Sequence, residues 1–192
     1  TRALSSAASD VYKRQTMARG NVSNTGLMMA RLCYDLLMEK GRDALDAVDR
    51  HQVTPELEDV VEASIYLSGL GFENGGLAAA HAINDGFAQE PQAHGMYHGE
   101  KVAFGTLTQL VLERAPEEEL EQVLSFLKDT GLPMTLAQLG VKEVVPETLK
   151  KVAEAACVPT QSTRNLRADI AAQEVYDAIL EADRMGRAYL AR

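Results

Sequence analysis

The sequence predicts an all-α protein, a bundle of about seven or eight helices. Three observations carry this. Apolar residues recur at three- and four-residue intervals from Leu27 to Tyr189, the spacing of one helix face. No stretch alternates polar and apolar residues with period two for long enough to make a strand. Proline opens several periodic stretches and glycine closes them, the asymmetry that helix termini favour.

The elements follow in order. Residues 21–26 form a polar, turn-forming lead-in. Leu27, Met28, Leu32, Cys33, Leu36 and Leu37 then mark a helix, with Gly41 as its expected stop. A short charged helix is expected over Asp43–His51. Thr54-Pro55-Glu56 is a helix start: a capping hydroxyl, proline in the first turn, and an acid near the positive end of the dipole. Leu57, Val60, Val61, Ile65 and Leu67 continue that helix into Gly69. Another is expected from about Gly75 to Asp85, ending at Gly86. Gln89–Met96 reads as a loop. The helix over His98–Ala115 carries apolar residues on more than one face, so it is expected to lie in the core. Pro116 opens a helix to Asp129, closed by Gly131. Met134–Leu139 supplies a turn or two, and Pro146 starts a helix through Cys157. After a polar loop over Val158–Arg167, Ala171–Leu190 forms a long final helix.

A chain of 192 residues can bury one substantial core, and residues 16–192 read as one helical domain. Residues 1–15, TRALSSAASDVYKRQ, have no apolar periodicity. They resemble the translated linker scars of assembled reading frames and are read as a non-native tail. The formal net charge is -9, which disfavours nucleic acid and anionic membrane surfaces as partners, since both require clustered Lys and Arg. No apolar run approaches the roughly 20 residues of a membrane span. Cys33 and Cys157 sit in helical patterns and do not form a disulfide framework, which fits a reducing cytoplasm.

Three of the four histidines, His81, His94 and His98, fall between Gly71 and Gly105. His81 lies on an alanine-rich helix whose small side chains let another backbone approach closely. From spacing alone, the plainer reading is a buried histidine bonded to a carbonyl. His98 opens the next helix, and there the plainer reading is a capping or surface histidine. Two antiparallel helices joined by a loop can nevertheless bring both imidazoles to one point. Such a pair suits zinc or ferrous iron, with a carboxylate to complete the set. Asp85, one turn after His81, is a solvated acid on the plainer reading and a third ligand on the bolder one. His94 is expected in an exposed loop and His51 at the surface. No GxGxxG or phosphate-cradling loop is legible.

The stretch GFENGGLAAAHAINDG followed by YHGEKVAFGTLTQLVLE closely resembles the C-terminal half of glycerol dehydrogenases, within the iron-containing alcohol dehydrogenase superfamily. ARLCYDLLMEKG, VTPELEDVVEASIYLSGLGFENGG, DTGLPMTLAQLG and KKVAEAACV extend the likeness from about Met17 to the C-terminus. The resemblance implies a two-domain enzyme. An N-terminal α/β domain binds NAD, and a C-terminal all-helical domain holds zinc through one Asp and two His. The two histidines match His81 and His98, and Phe72 matches a position lining the glycerol pocket. No cofactor-binding residue is expected in this chain.

The implied reaction is hydride transfer from glycerol to NAD, yielding dihydroxyacetone, with zinc as Lewis acid. The family's aspartate ligand and NAD domain fall upstream of this chain, so the chain alone is expected to be inactive. Relatives commonly read HAxHNG where this sequence has His81-Ala82-Ile83-Asn84-Asp85-Gly86. Two other functions stay open: a non-catalytic helical interaction module, and a dehydrogenase for another small diol. The family resemblance also implies a homo-oligomer.

Overall fold

The computed structural model describes residue 20 and residues 22–192. The expected tail, residues 1–15, lies outside the described residues. Among those described there are eight α-helices and no strand, so the all-α class is observed. The chain divides into two compact units, one ending at Leu77 and one spanning Ala78–Arg192.

The first unit is built on α1 (Asn24–Asp49), which packs against a second rod made of α2 (Pro55–Glu62), a π-helical turn (Ala63–Leu67) and α3 (Ser68–Gly75). Ser23 caps α1, its hydroxyl accepting from the Gly26 N–H at 3.0 Å, so the helix begins three residues before Leu27. Two expected breaks are absent. Gly41 does not end the first helix, and the separate helix over Asp43–His51 is its continuation. A glycine inside a helix costs about 1 kcal/mol. Burial of Ala44 and Ala47 just beyond it outweighs that cost, as does the Lys40–Asp59 ion pair between the rods. Likewise Gly69 does not end the second rod, which runs on through the first part of GFENGG to Gly75. The stop is Gly76, whose φ of 71° is accessible to glycine without strain. At the start of this rod, Thr54 and Pro55 act as the sequence predicts, with the threonine hydroxyl accepting from the Leu57 N–H at 3.3 Å.

The second unit contains α4 (Ala79–Gly86), α5 (His98–Glu113), α6 (Glu117–Asp129), α7 (Pro146–Ala156) and α8 (Ala172–Leu190). Helix α4 begins later than the expected Gly75. It is short and almost wholly buried, packing against both α5 and α7. Helix α5 buries Phe104, Leu107, Thr108 and Leu110 and also meets α8, matching its expected place in the core. The loop between α4 and α5 contains two short 3-10 turns, Phe87–Gln89 and Pro91–Ala93. Met134–Leu139 forms a turn anchored from α8: the buried carboxylate of Asp183 accepts from the Leu136 N–H at 2.9 Å and pairs with Arg187 at 2.5 Å. Where α8 passes this turn, Gly186 leaves no room for a side chain, because a Cβ there would stand 1.9 Å from the Met134 carbonyl oxygen.

Candidate active site

The centre of the candidate site is the pair His81 and His98. Ala78 offers no side-chain cap to α4. Instead the Ala80 N–H donates to Oε1 of Gln109 on α5 at 3.0 Å, which stitches the start of α4 to its neighbour. From the 3-10 turn Ser162–Asn165, beyond α7, the Ser162 hydroxyl donates to the Ala78 carbonyl at 2.7 Å. The two helices approach closely because Gly105 faces Ala80; a Cβ at Gly105 would lie 2.5 Å from the Ala80 carbonyl oxygen. Phe87 and Phe104 meet edge-to-face with centroids 6.0 Å apart, both wholly buried, and hold the α4–α5 crossing.

Held this way, the rings of His81 and His98 stand 5.5 Å apart, centroid to centroid, inclined at 48°. An imidazole nitrogen coordinates zinc at about 2.0–2.1 Å, which sets the ring centres of two ligands on one ion roughly 5–6 Å apart. The observed separation fits two corners of such a site. Burial lowers the pKa of His81 below its ordinary value. The neighbouring His98 adds to that shift and the Asp85 carboxylate opposes it. His81 is therefore held neutral, with a lone pair to donate, at neutral pH. His98 is exposed at the first residue of α5. That helix is fixed at its start by Glu100, whose side chain accepts from the Tyr97 N–H at 2.7 Å.

Among the described residues, no third His, Cys, Asp or Glu joins the pair in a cluster able to hold a metal. Asp85 is not gathered with the histidines as a ligand; its oxygens take hydrogen bonds from Asn84 Nδ2 at 3.0 Å and Gln161 Nε2 at 3.2 Å. Asn84 is buried, and its own Oδ1 has no hydrogen-bond partner. His94 is exposed in the loop, as expected, with Nε2 3.0 Å from the Ala88 carbonyl oxygen. His51 is exposed at the turn after α1, in the left-handed region with φ 54°. Phe72 belongs to the first unit, where it lines a cleft of about 230 Å³ with Leu67, Ala30, Cys33 and Leu77. Both cysteines are free.

The chain has relatives among known proteins. The chain is 53% identical over 175 residues, 91% of its length, to a glycerol dehydrogenase of Escherichia coli. This chain is a glycerol dehydrogenase homologue. It is also 44% identical over 168 residues to a glycolaldehyde reductase of Halobacterium salinarum. The solved structure of the Schizosaccharomyces pombe glycerol dehydrogenase superposes with a TM-score of 0.90 at 38% identity, covering 98% of this chain and 48% of that one. No protein-family model matches the chain. The homologue spans about half the length of the curated relatives it matches, 48% of the Escherichia coli protein and 46% of the Halobacterium one. It is thus related to oxidoreductases acting on small polyols and aldehydes. Among the described residues, no helix is long and apolar enough to cross a membrane.

Sequence reasoning selected both histidines but missed what holds them. Gln109 and Gln161 carry no motif, and Gly105 reads as an ordinary helical glycine. The one available signal was the run of small residues around His81, which marks a close helix approach without naming the partner.

Proposed function

We propose that residues 16–192 are the metal-binding half of a zinc- and NAD-dependent glycerol dehydrogenase. The observation that carries the reading is the 5.5 Å pairing of His81 and His98 across the α4–α5 crossing. In this reading the two imidazoles supply two zinc ligands, and a carboxylate from the preceding part of the enzyme supplies the third. The bound zinc supplies Lewis acidity toward a substrate hydroxyl, and the nicotinamide of NAD accepts the hydride. Glycerol thereby becomes dihydroxyacetone: its central carbon loses a hydride to NAD and its hydroxyl loses a proton. Phe72 contributes an apolar wall to the polyol pocket. His81 is suited to its part because burial keeps it unprotonated, and Gln109, Gly105 and the Phe87–Phe104 contact fix where it stands. The two unpaired cysteines support a reducing, cytoplasmic setting. The whole enzyme is proposed to be a homo-oligomer.

The test is zinc content. The full reading frame is purified beside His81→Ala and His98→Ala, and bound zinc is quantified after dialysis. Loss of zinc in both variants, with the helical signal retained, is the expected result. Full retention in either one rejects that histidine as a ligand. A second reading, a dehydrogenase for another small diol, is favoured by the relative named for glycolaldehyde reduction, and initial rates on glycerol and on two-carbon diols separate the two.

A further inference from the structure

We infer that Asp85 is a charge selector at the candidate site, a fixed carboxylate that turns away anionic alcohols and admits neutral ones. The inference rests on the metal-site reading of His81 and His98 and names which substrates that site rejects. On a helix, residues four apart are neighbours on one face, so Asp85 lies one turn from His81. At that spacing the Asp85 carboxylate opposes the lowering of the His81 pKa that burial causes. The carboxylate is held in place without being neutralised. Asn84 donates to one oxygen at 3.0 Å and Gln161 to the other at 3.2 Å, and both donors are uncharged amides. The Asn84 carboxamide is itself buried, so its orientation is set by packing as well as by this bond. Among the described residues no Lys or Arg forms an ion pair with Asp85. Asp85 is exposed, so its charge one turn from His81 is open to solvent and to solutes. Beside a bound zinc ion, a fixed negative charge offsets part of the metal's pull on ligands of its own sign and leaves neutral ones untouched, and the effect weakens with salt.

Lactate and 1,2-propanediol make a matched pair of probes, since they differ only in carboxylate against hydroxymethyl. The readout is the shift of the His81 and His98 ring proton resonances during titration of the zinc-loaded protein. Asp85→Asn keeps the shape and one accepting oxygen and removes the charge, and the exposed Gln161 amide can turn over to present its oxygen to the new amino group. It is expected to raise the affinity for lactate relative to propanediol on the order of five-fold. The dependence of the same ratio on salt, up to about 0.5 M where the Debye length is only a few ångströms, should differ between the unmodified protein and Asp85→Asn by the screened repulsion of the carboxylate. Glu118→Gln, which removes an equal charge from α6, serves as the control and should leave the ratio unchanged. An unchanged ratio in Asp85→Asn, or an equal change in the control, overturns the selector. If Asp85→Asn does not fold, Asp85→Ala takes its place in both comparisons, and an unchanged ratio there overturns it. If zinc fails to shift either histidine resonance, the metal-site reading fails and takes the selector with it, an outcome distinct from bound zinc with an unchanged ratio.

Discussion

His81 shows how a single residue acquires its character from its surroundings. The side chain is an ordinary imidazole; burial and a second imidazole at 5.5 Å lower its affinity for protons. A histidine whose folded pKa lies below its unfolded value of 6.5 contributes stability that is fully present above that value. The contribution is lost as pH falls from about 6.5 toward the folded pKa, because the unfolded chain takes up the proton first. Metal-free protein should therefore lose denaturation midpoint between pH 7 and pH 5, and His81→Gln should lose less over the same interval. Urea melts at both pH values in the presence of chelator measure the difference; equal losses would remove His81 as a source. The identity of His81 and His98 as the residues to watch was legible from the resemblance. The hydrogen bonds that fix Asp85 were not, because Gln161 lies 76 residues away and nothing in its neighbourhood announces a partner.

At the scale of elements, the candidate site is a consequence of one helix crossing. Helices α4 and α5 come together because Gly105 admits the Ala80 carbonyl where a Cβ would stand at 2.5 Å. Overpacking such a contact costs about 1–3 kcal/mol and moves backbone. Gly105→Ala should then weaken zinc binding by about ten-fold or more without altering either histidine, since a 1.4 kcal/mol distortion of ligand geometry is already a factor of ten. Chelator competition on the full reading frame measures it, with circular dichroism to show that the bundle persists. Wild-type zinc affinity in a folded Gly105→Ala protein would show that the crossing does not set the ligand geometry. Helix starts at Pro55 and Pro146 were readable because proline and capping side chains act locally. The false stops at Gly41 and Gly69 were misread for the converse reason. A glycine's local penalty of about 1 kcal/mol is overridden by burial against another element, which no local signal reports.

For the molecule as a whole, the governing fact is that the chain spans about half the length of the curated relatives it matches. Its sequence has no GxGxxG motif, and its described residues bring together two imidazoles, those of His81 and His98. The 192-residue chain supplied with zinc, NAD and glycerol should accordingly give no NADH, and the full reading frame should give it steadily. Sustained absorbance growth at 340 nm from the chain alone would overturn the division of labour proposed above. The sequence by itself determined the helical class, most helix starts and the pair of histidines, because periodicity, capping and motif identity are properties of neighbours along the chain. Only the tertiary structure decided that the two imidazoles stand 5.5 Å apart, that Asn84 and Gln161 hold the Asp85 carboxylate and that Phe72 lines a cleft in the first unit. These depend on contacts between distant segments, and the small residues and amides that make such contacts have no pattern of their own until the helices pack.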